Sequence, residues 1–176
     1  MALRRSNAAV VKPQHRIGWS GNTLILALTE DWFLIPRLED AARAVGARLE
    51  VAARPEDLGA SGDPAPRAVP LTEPVEGADA AMVRRIVAER PRLILMDSEA
   101  RDLPWECWLQ VLKTSAATRR IPIVVFGPYV EGDVLARARA LGADQVLARG
   151  HFLGDLPELL RAALEAQPES QLRRAG

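Results

Sequence analysis

Four places along the chain carry groups able to do chemistry, and each follows a short apolar run. Thr29, Glu30 and Asp31 come after 23–28; Asp97, Ser98 and Glu99 after 92–96; Gly127 and Pro128 after 121–126; Arg149 after 144–148. Carboxylates gathered at one edge can bind a hard divalent cation, and an arginine among them can neutralise them or hold a small anion. Glu30 and Asp97 supply only two carboxylate side chains, a thin set for Mg²⁺. The favoured reading of Arg149 with Asp97 and Glu30 is a structural ion pair that neutralises an acidic pocket, with an anion or metal site as the alternative.

Other chemistry lacks its residues. His15 and His151 are the two histidines, and neither stands at ligand spacing with the other or with Cys107. Cys107 lies in the turn Trp105-Glu106-Cys107-Trp108 with no histidine nearby, which suits a core or boundary thiol better than a nucleophile. No Gly-x-Gly-x-x-Gly follows the first apolar run, and neither a Walker sequence nor a Gly-x-Ser-x-Gly elbow occurs. Dehydrogenase, nucleotide-hydrolase and serine-hydrolase readings lose their main support. Trp19, Trp32, Trp105 and Trp108 stand out against an aromatic content of 5%. Trp32 and Trp105 either form a lid over the pocket or cap the core.

The elements that must position these groups follow from periodicity. Residues 23–28, 47–53, 92–96, 121–126 and 144–148 read as strands, the first a run expected to be buried on both faces. Between them come helices: one capped by Asp31 and closed by Gly46, one over 79–90 stopped by Pro91, one opened by Pro104, one over 131–141 closed by Gly142, and a last one over 153–166. Residues 1–22 read as an N-terminal arm, and 167–176 as a polar tail. Residues 54–78 are rich in proline and glycine and read as an extended surface insertion within the 23–166 domain. Alternating strands and helices require right-handed crossovers, and the expected fold is an α/β flavodoxin-like three-layer sandwich with a five-stranded parallel sheet of order 2-1-3-4-5. In such a sheet, sites gather at the carboxyl ends of the strands, where all four chemical positions fall.

Composition sets outer bounds. The 176 residues suit one domain, 48% hydrophobic and 26% charged. Twenty-three basic and 23 acidic residues cancel, which speaks against nucleic acid as a partner. One cysteine excludes an intrachain disulfide. Without a long apolar run or a signal peptide, a cytoplasmic chain with no membrane partner is expected.

The stretches Pro91-Arg-Leu-Ile-Leu-Met-Asp97, 112–125 and 138–147 resemble the CheY-like receiver domains of response regulators. The segments 31–43 and 125–130 resemble a divergent branch of that family. The resemblance covers about 23 to 164 outside the insertion. It places Asp97 at the phosphoacceptor position and implies Mg²⁺ held by an acidic pair after the first strand. Here that pair reads Thr29 and Glu30, with Asp31 beside it, and a backbone carbonyl at Glu99 is available as a further ligand. The family's hydroxyl at the end of the fourth strand is Gly127, its lysine is Arg149, and its switch aromatic is Val146.

The resemblance therefore implies a receiver whose switch positions are altered. A non-enzymatic, phosphorylation-independent pseudo-receiver without a cofactor is expected, working through a protein partner in bacterial signalling or regulation. The alternative is a phosphorylatable single-domain regulator with Asp97 as acceptor and Mg²⁺ at Glu30, Asp97 and Glu99. A weaker reading is a small-ligand sensor with an anion at Arg149. No output domain is expected after the last helix. The family's association face, the fourth and fifth helices with the fifth strand, would carry Tyr129, Arg137, Arg139, Asp144, Gln145 and Arg149, either as a homodimer surface or as a solvated face.

Overall fold

The computed structural model describes residues 23–59, 77–128 and 132–166. Five parallel strands, β1 (Leu24–Leu28), β2 (Arg48–Ala52), β3 (Leu93–Asp97), β4 (Ile123–Gly127) and β5 (Gln145–Ala148), lie in the order β2-β1-β3-β4-β5. This is the expected sheet. The three inner strands are buried at every position, whereas β2 and β5 at the edges are mostly half-buried. That difference explains why LILAL, LILMD and IVVFG are nearly continuous apolar runs while RLEVA and QVLA are mixed.

Alternate side chains of each strand serve opposite layers. Leu26, Leu28, Ile94, Met96 and Val125 pack against α2 (Gly77–Glu89) and α3 (Trp105–Thr114). Ile25, Ala27, Leu93, Leu95, Val124 and Phe126 pack against α1 (Ile35–Ala44) and α6 (Leu156–Glu165). Two further helices complete the alternation: α4 (Gly132–Ala140) and α5 (Arg149–Gly154).

Local chemistry sets the boundaries. Asp31 Oδ1 accepts the amide N–H groups of Phe33 at 2.9 Å and Leu34 at 3.2 Å, so it caps the turn that leads into α1. Gly46, at φ 72°, ends that helix in a conformation that costs glycine little. After α2 the left-handed residue is Arg90, at φ 52°, and Pro91 prevents any continuation.

Two expectations about the chain path change. The last helix is two: α5 begins at Arg149 directly after β5, and Asp155 separates it from α6 by accepting the Glu158 N–H. Of the proline-rich stretch, Pro55–Leu58 forms a 3₁₀ turn and α2 already begins at Gly77. The rest of that insertion, the arm 1–22 with Trp19 and His15, the tail 167–176 and Tyr129 lie outside the described residues.

At the amino edge Lys113 draws several segments together. Its Nζ donates to the carbonyls of Ile121 at 2.9 Å and Arg119 at 3.3 Å and to Asp144 Oδ2, which also accepts the Ile123 N–H at 2.7 Å. One ammonium thus ties the end of α3 to the starts of β4 and β5.

Candidate functional site

Strand register builds the site. Leu28 pairs with Met96, so Thr29 stands one step beyond β1, level with Asp97. Thr29 Oγ1 donates to Asp97 Oδ2 at 2.8 Å and accepts the Asp31 N–H at 3.1 Å. Asp97 is 2% exposed. A carboxylate so deep is stable only when its oxygens are satisfied. The Glu99 N–H donates to Oδ1 at 3.0 Å, and Arg149 Nη2 lies 3.0 Å from both oxygens.

Arg149 does more than pair with Asp97. Nη1 bonds Asp31 Oδ2 at 2.5 Å and Nη2 approaches Glu99 Oε2 at 2.7 Å. Its guanidinium carbon sits 5.7 Å from the centroid of the Phe126 ring. Phe126 in turn stacks on Phe152 of α5, with centroids 4.1 Å apart and planes inclined by 3°. The planar fork therefore rests on an aromatic face while joining three carboxylates from two loops and a strand end. Burial pulls its pKa down, but the charges of Asp97 and Glu99 and the bonds to Asp97 and Asp31 outweigh this, leaving it above the ordinary arginine value.

Glu30 takes a different direction. Its Oε1 accepts the Asp102 N–H at 2.6 Å, which clips the β1–α1 loop to the loop after β3. The side chains implied for Mg²⁺ are thus otherwise engaged, Glu30 by a backbone amide and Asp97 by Arg149, while the ligand implied at Glu99 is its backbone carbonyl. Among the described residues no group of three or more His, Cys, Asp or Glu side chains is placed to hold a metal ion. As arranged, these side chains do not fit a divalent cation.

Gly127 is small for a reason that sequence spacing could not reveal. A Cβ at this position would fall 1.9 Å from Ser98 Oγ and 3.3 Å from Ser98 Cβ. The hydroxyl of residue 98 thus fills the volume that a side chain on residue 127 would occupy. Ser98 Oγ is buried and has no hydrogen-bond partner among the described residues. Val146, at the aromatic position of the family, is half-buried and packs against the layer of α2 and α3.

The tryptophans divide. Trp32 is 74% exposed, so among the described residues it neither covers the pocket nor caps the core, and both alternatives weighed for it fail. Trp105 is 8% exposed and belongs to the core, so capping is its role. Trp108 is fully buried, and its indole N–H donates to Asp79 Oδ1 at 2.9 Å. The Cys107 thiol lies 3.6 Å from Asp79 Oδ2 and is half-buried; burial first, and then the Asp79 charge, push its pKa up to about 11. That thiol is protonated at neutral pH and poorly nucleophilic, as a boundary residue should be. His151 is exposed on α5.

Sequence reasoning missed the Glu99 side chain as a partner of Arg149, the Phe126–Phe152 platform, and the Asp79–Trp108 bond. The nearest signal for the first was the Asp97-x-Glu99 spacing; the other two depend on packing between distant segments.

No family model matches the chain, and no curated protein matches its sequence. Several solved structures are similar in shape. The signal receiver domain of a signal transduction histidine kinase from Syntrophus aciditrophicus superposes with a TM-score of 0.61 at 16% identity, covering 88% of this chain and 95% of that one. The signal receiver domain of a DNA-binding response regulator from Colwellia psychrerythraea 34H gives 0.60 at 16% identity, over 81% and 98%. The receiver domain of a sensor histidine kinase from Pseudomonas aeruginosa PAO1, whose structure has a magnesium ion coordinated in the active-site cleft, gives 0.58 at 17% identity, over 81% and 98%. Sheet order, helix layers and these superpositions together establish that the chain has the CheY-like fold of response-regulator receiver domains.

Proposed function

We propose that this chain is a phosphorylation-independent pseudo-receiver, a non-enzymatic protein-interaction module in bacterial signalling or regulation. The observation that carries this reading is the Arg149 guanidinium seated on both oxygens of Asp97. To accept a phosphoryl group, a carboxylate oxygen must be free to attack, and the transferred group needs its charge neutralised. Here Thr29, the Glu99 amide and Arg149 engage both oxygens. A covalent change can shift a conformational equilibrium only by contacting the two states differently. Gly127 offers no side-chain hydroxyl to be drawn in and Val146 no ring to swing, so the usual route from pocket to surface has no moving parts. Signalling then passes through the surface as it stands.

The test is exposure of the full chain to acetyl phosphate, and separately to beryllofluoride, each with Mg²⁺. Intact mass, tryptophan fluorescence and oligomeric state are compared with those of Asp97→Asn. The expected result is no Asp97-dependent change in any of them. A specific adduct on Asp97, or a spectral shift lost in Asp97→Asn, overturns the reading in favour of a phosphorylatable regulator.

A further inference from the structure

The zero net charge hides a separation along the strand direction. At the carboxyl edge, segments 29–34, 53–59 and 98–104 carry Glu30, Asp31, Glu56, Asp57, Glu99 and Asp102 against Arg54 and Arg101. Arg149 is already committed to carboxylates there. At the amino edge, segments 90–92, 115–122 and 141–144 expose Arg90, Arg119 and Arg120 against Asp144, which Lys113 neutralises. One end of the described domain is acidic and the other basic.

The two ends also differ in shape. Trp32 and Phe33 project from the acidic end, 74% and 92% exposed. They do not stand on a loose tip. Asp31 Oδ1 holds the Phe33 and Leu34 amides, Arg149 holds its Oδ2, and Glu30 clips the loop to Asp102. Aromatic side chains on a preordered loop lose little freedom on burial, and each removes about 150–250 Å² from water. At the basic end a cavity of about 310 Å³ opens between the starts of β4 and β5 and the end of α6. Pro122, Val124 and Ala163 line it, together with the exposed Arg120 and Gln145 and with Asp144, whose charge is met by Lys113.

We propose that copies of this chain associate head to tail, the Trp32–Phe33 end of one seated in the amino-edge cavity of the next. The acidic loops then face Arg119 and Arg120, and Arg120 is placed to lie on an aromatic face. The occupant is a second copy because both halves of the contact, opposite in charge and complementary in relief, are on the same chain. The two surfaces differ, so the contact is heterologous and continues into a ring or an open filament rather than closing as a two-fold dimer. This proposal is independent of whether Asp97 accepts phosphate.

The experiment is light scattering or sedimentation of the full chain over a concentration series at low and high salt. Mass is expected to climb above 19.2 kDa with concentration and to fall back as salt screens the charged loops. The double variant Trp32→Ser/Phe33→Ser and the single variant Arg120→Glu alter exposed residues, and circular dichroism verifies their folding. Each should weaken association about tenfold or more. A one-to-one mixture of the two variants should restore a pair that stops at two chains, since each variant keeps the half that the other lacks. A chain that stays monomeric throughout, association that ignores either variant, or a mixture that does not pair overturns the proposal. The last outcome would point to a symmetric contact, or to a chain's own terminal segment filling the cavity.

Discussion

Arg149 Nη2 lies 3.0 Å from each carboxylate oxygen of Asp97. The guanidinium is a tethered counter-ion for the carboxylates that this sheet edge brings together. Because the same group reaches Asp31 and Glu99, it fastens the β1–α1 loop, the end of β3, the following loop and α5 at one point. The charge is covalently tethered, so the chain itself holds it against the carboxylates.

Removing that charge should be costly. Arg149→Ala leaves Asp97 buried with a hydroxyl and an amide as partners, and stability to urea should fall by about 2–4 kcal/mol. Arg149→Lys should recover only part of this, because a single ammonium cannot reproduce the fork that spans Asp31, Asp97 and Glu99. Asp97→Asn in the Arg149→Ala background should restore some stability by removing the orphaned charge. If Arg149→Ala unfolds at the same urea midpoint as the parent, the clamp is not energetically significant.

The Cys107 thiol has a defined pH signature. Its folded pKa is raised from 9.0 to about 11, so the folded state holds the proton more tightly than the unfolded one. The stability from this preference is complete below pH 9.0 and is lost as pH rises through about 11. Alkylation by iodoacetamide should therefore be slow at pH 8 and accelerate towards an inflection near 11. Asp79→Asn should shift the inflection down only partly, because burial is the larger cause. An inflection at the ordinary thiol value in the parent chain would contradict this placement.

Trp108→Phe isolates the indole N–H bond to Asp79. The ring stays large and apolar, but a buried acceptor loses its donor, so a loss of about 1–3 kcal/mol is expected in thermal or urea unfolding. The simultaneous change Asp79→Ala should be less than additive with it, as for any pair that shares one bond.

Lys113→Met tests the amino-edge tie. The substitution keeps the stem that packs near Gly142 but leaves two carbonyls and Asp144 without the ammonium. Stability should drop by about 1–3 kcal/mol, and amide exchange at the starts of β4 and β5 should quicken more than in β1. Uniform exchange across the sheet would argue against a local role.

Much of this was legible in the chain. The apolar run at 23–28 announced a strand buried on both faces because such a strand leaves no room for alternation, and the strand–helix alternation along the chain pointed to the sheet order. Asp97 and Arg149 were found because a parallel sheet brings its carboxyl ends together wherever they lie in sequence. Other features escaped because they rest on short elements, on exposure or on contacts between remote segments. Helix α5 is six residues long, too short to show a period, and its Phe152 stacks on Phe126. Trp32 was read as either a lid or a core cap because exposure cannot be read from residue type. Ser98 was placed at the carboxyl edge, but that the β3–β4 register sets its hydroxyl against Gly127 could not be read from the sequence.

That last contact has a consequence for any attempt to rebuild the pocket. Residues 98 and 127 share one volume, so neither can be judged alone. A side chain grafted onto position 127 fits only if Ser98 rotates away or is made smaller, and shrinking Ser98 alone leaves a void. The rotamer of one residue thus decides what the other strand end can carry.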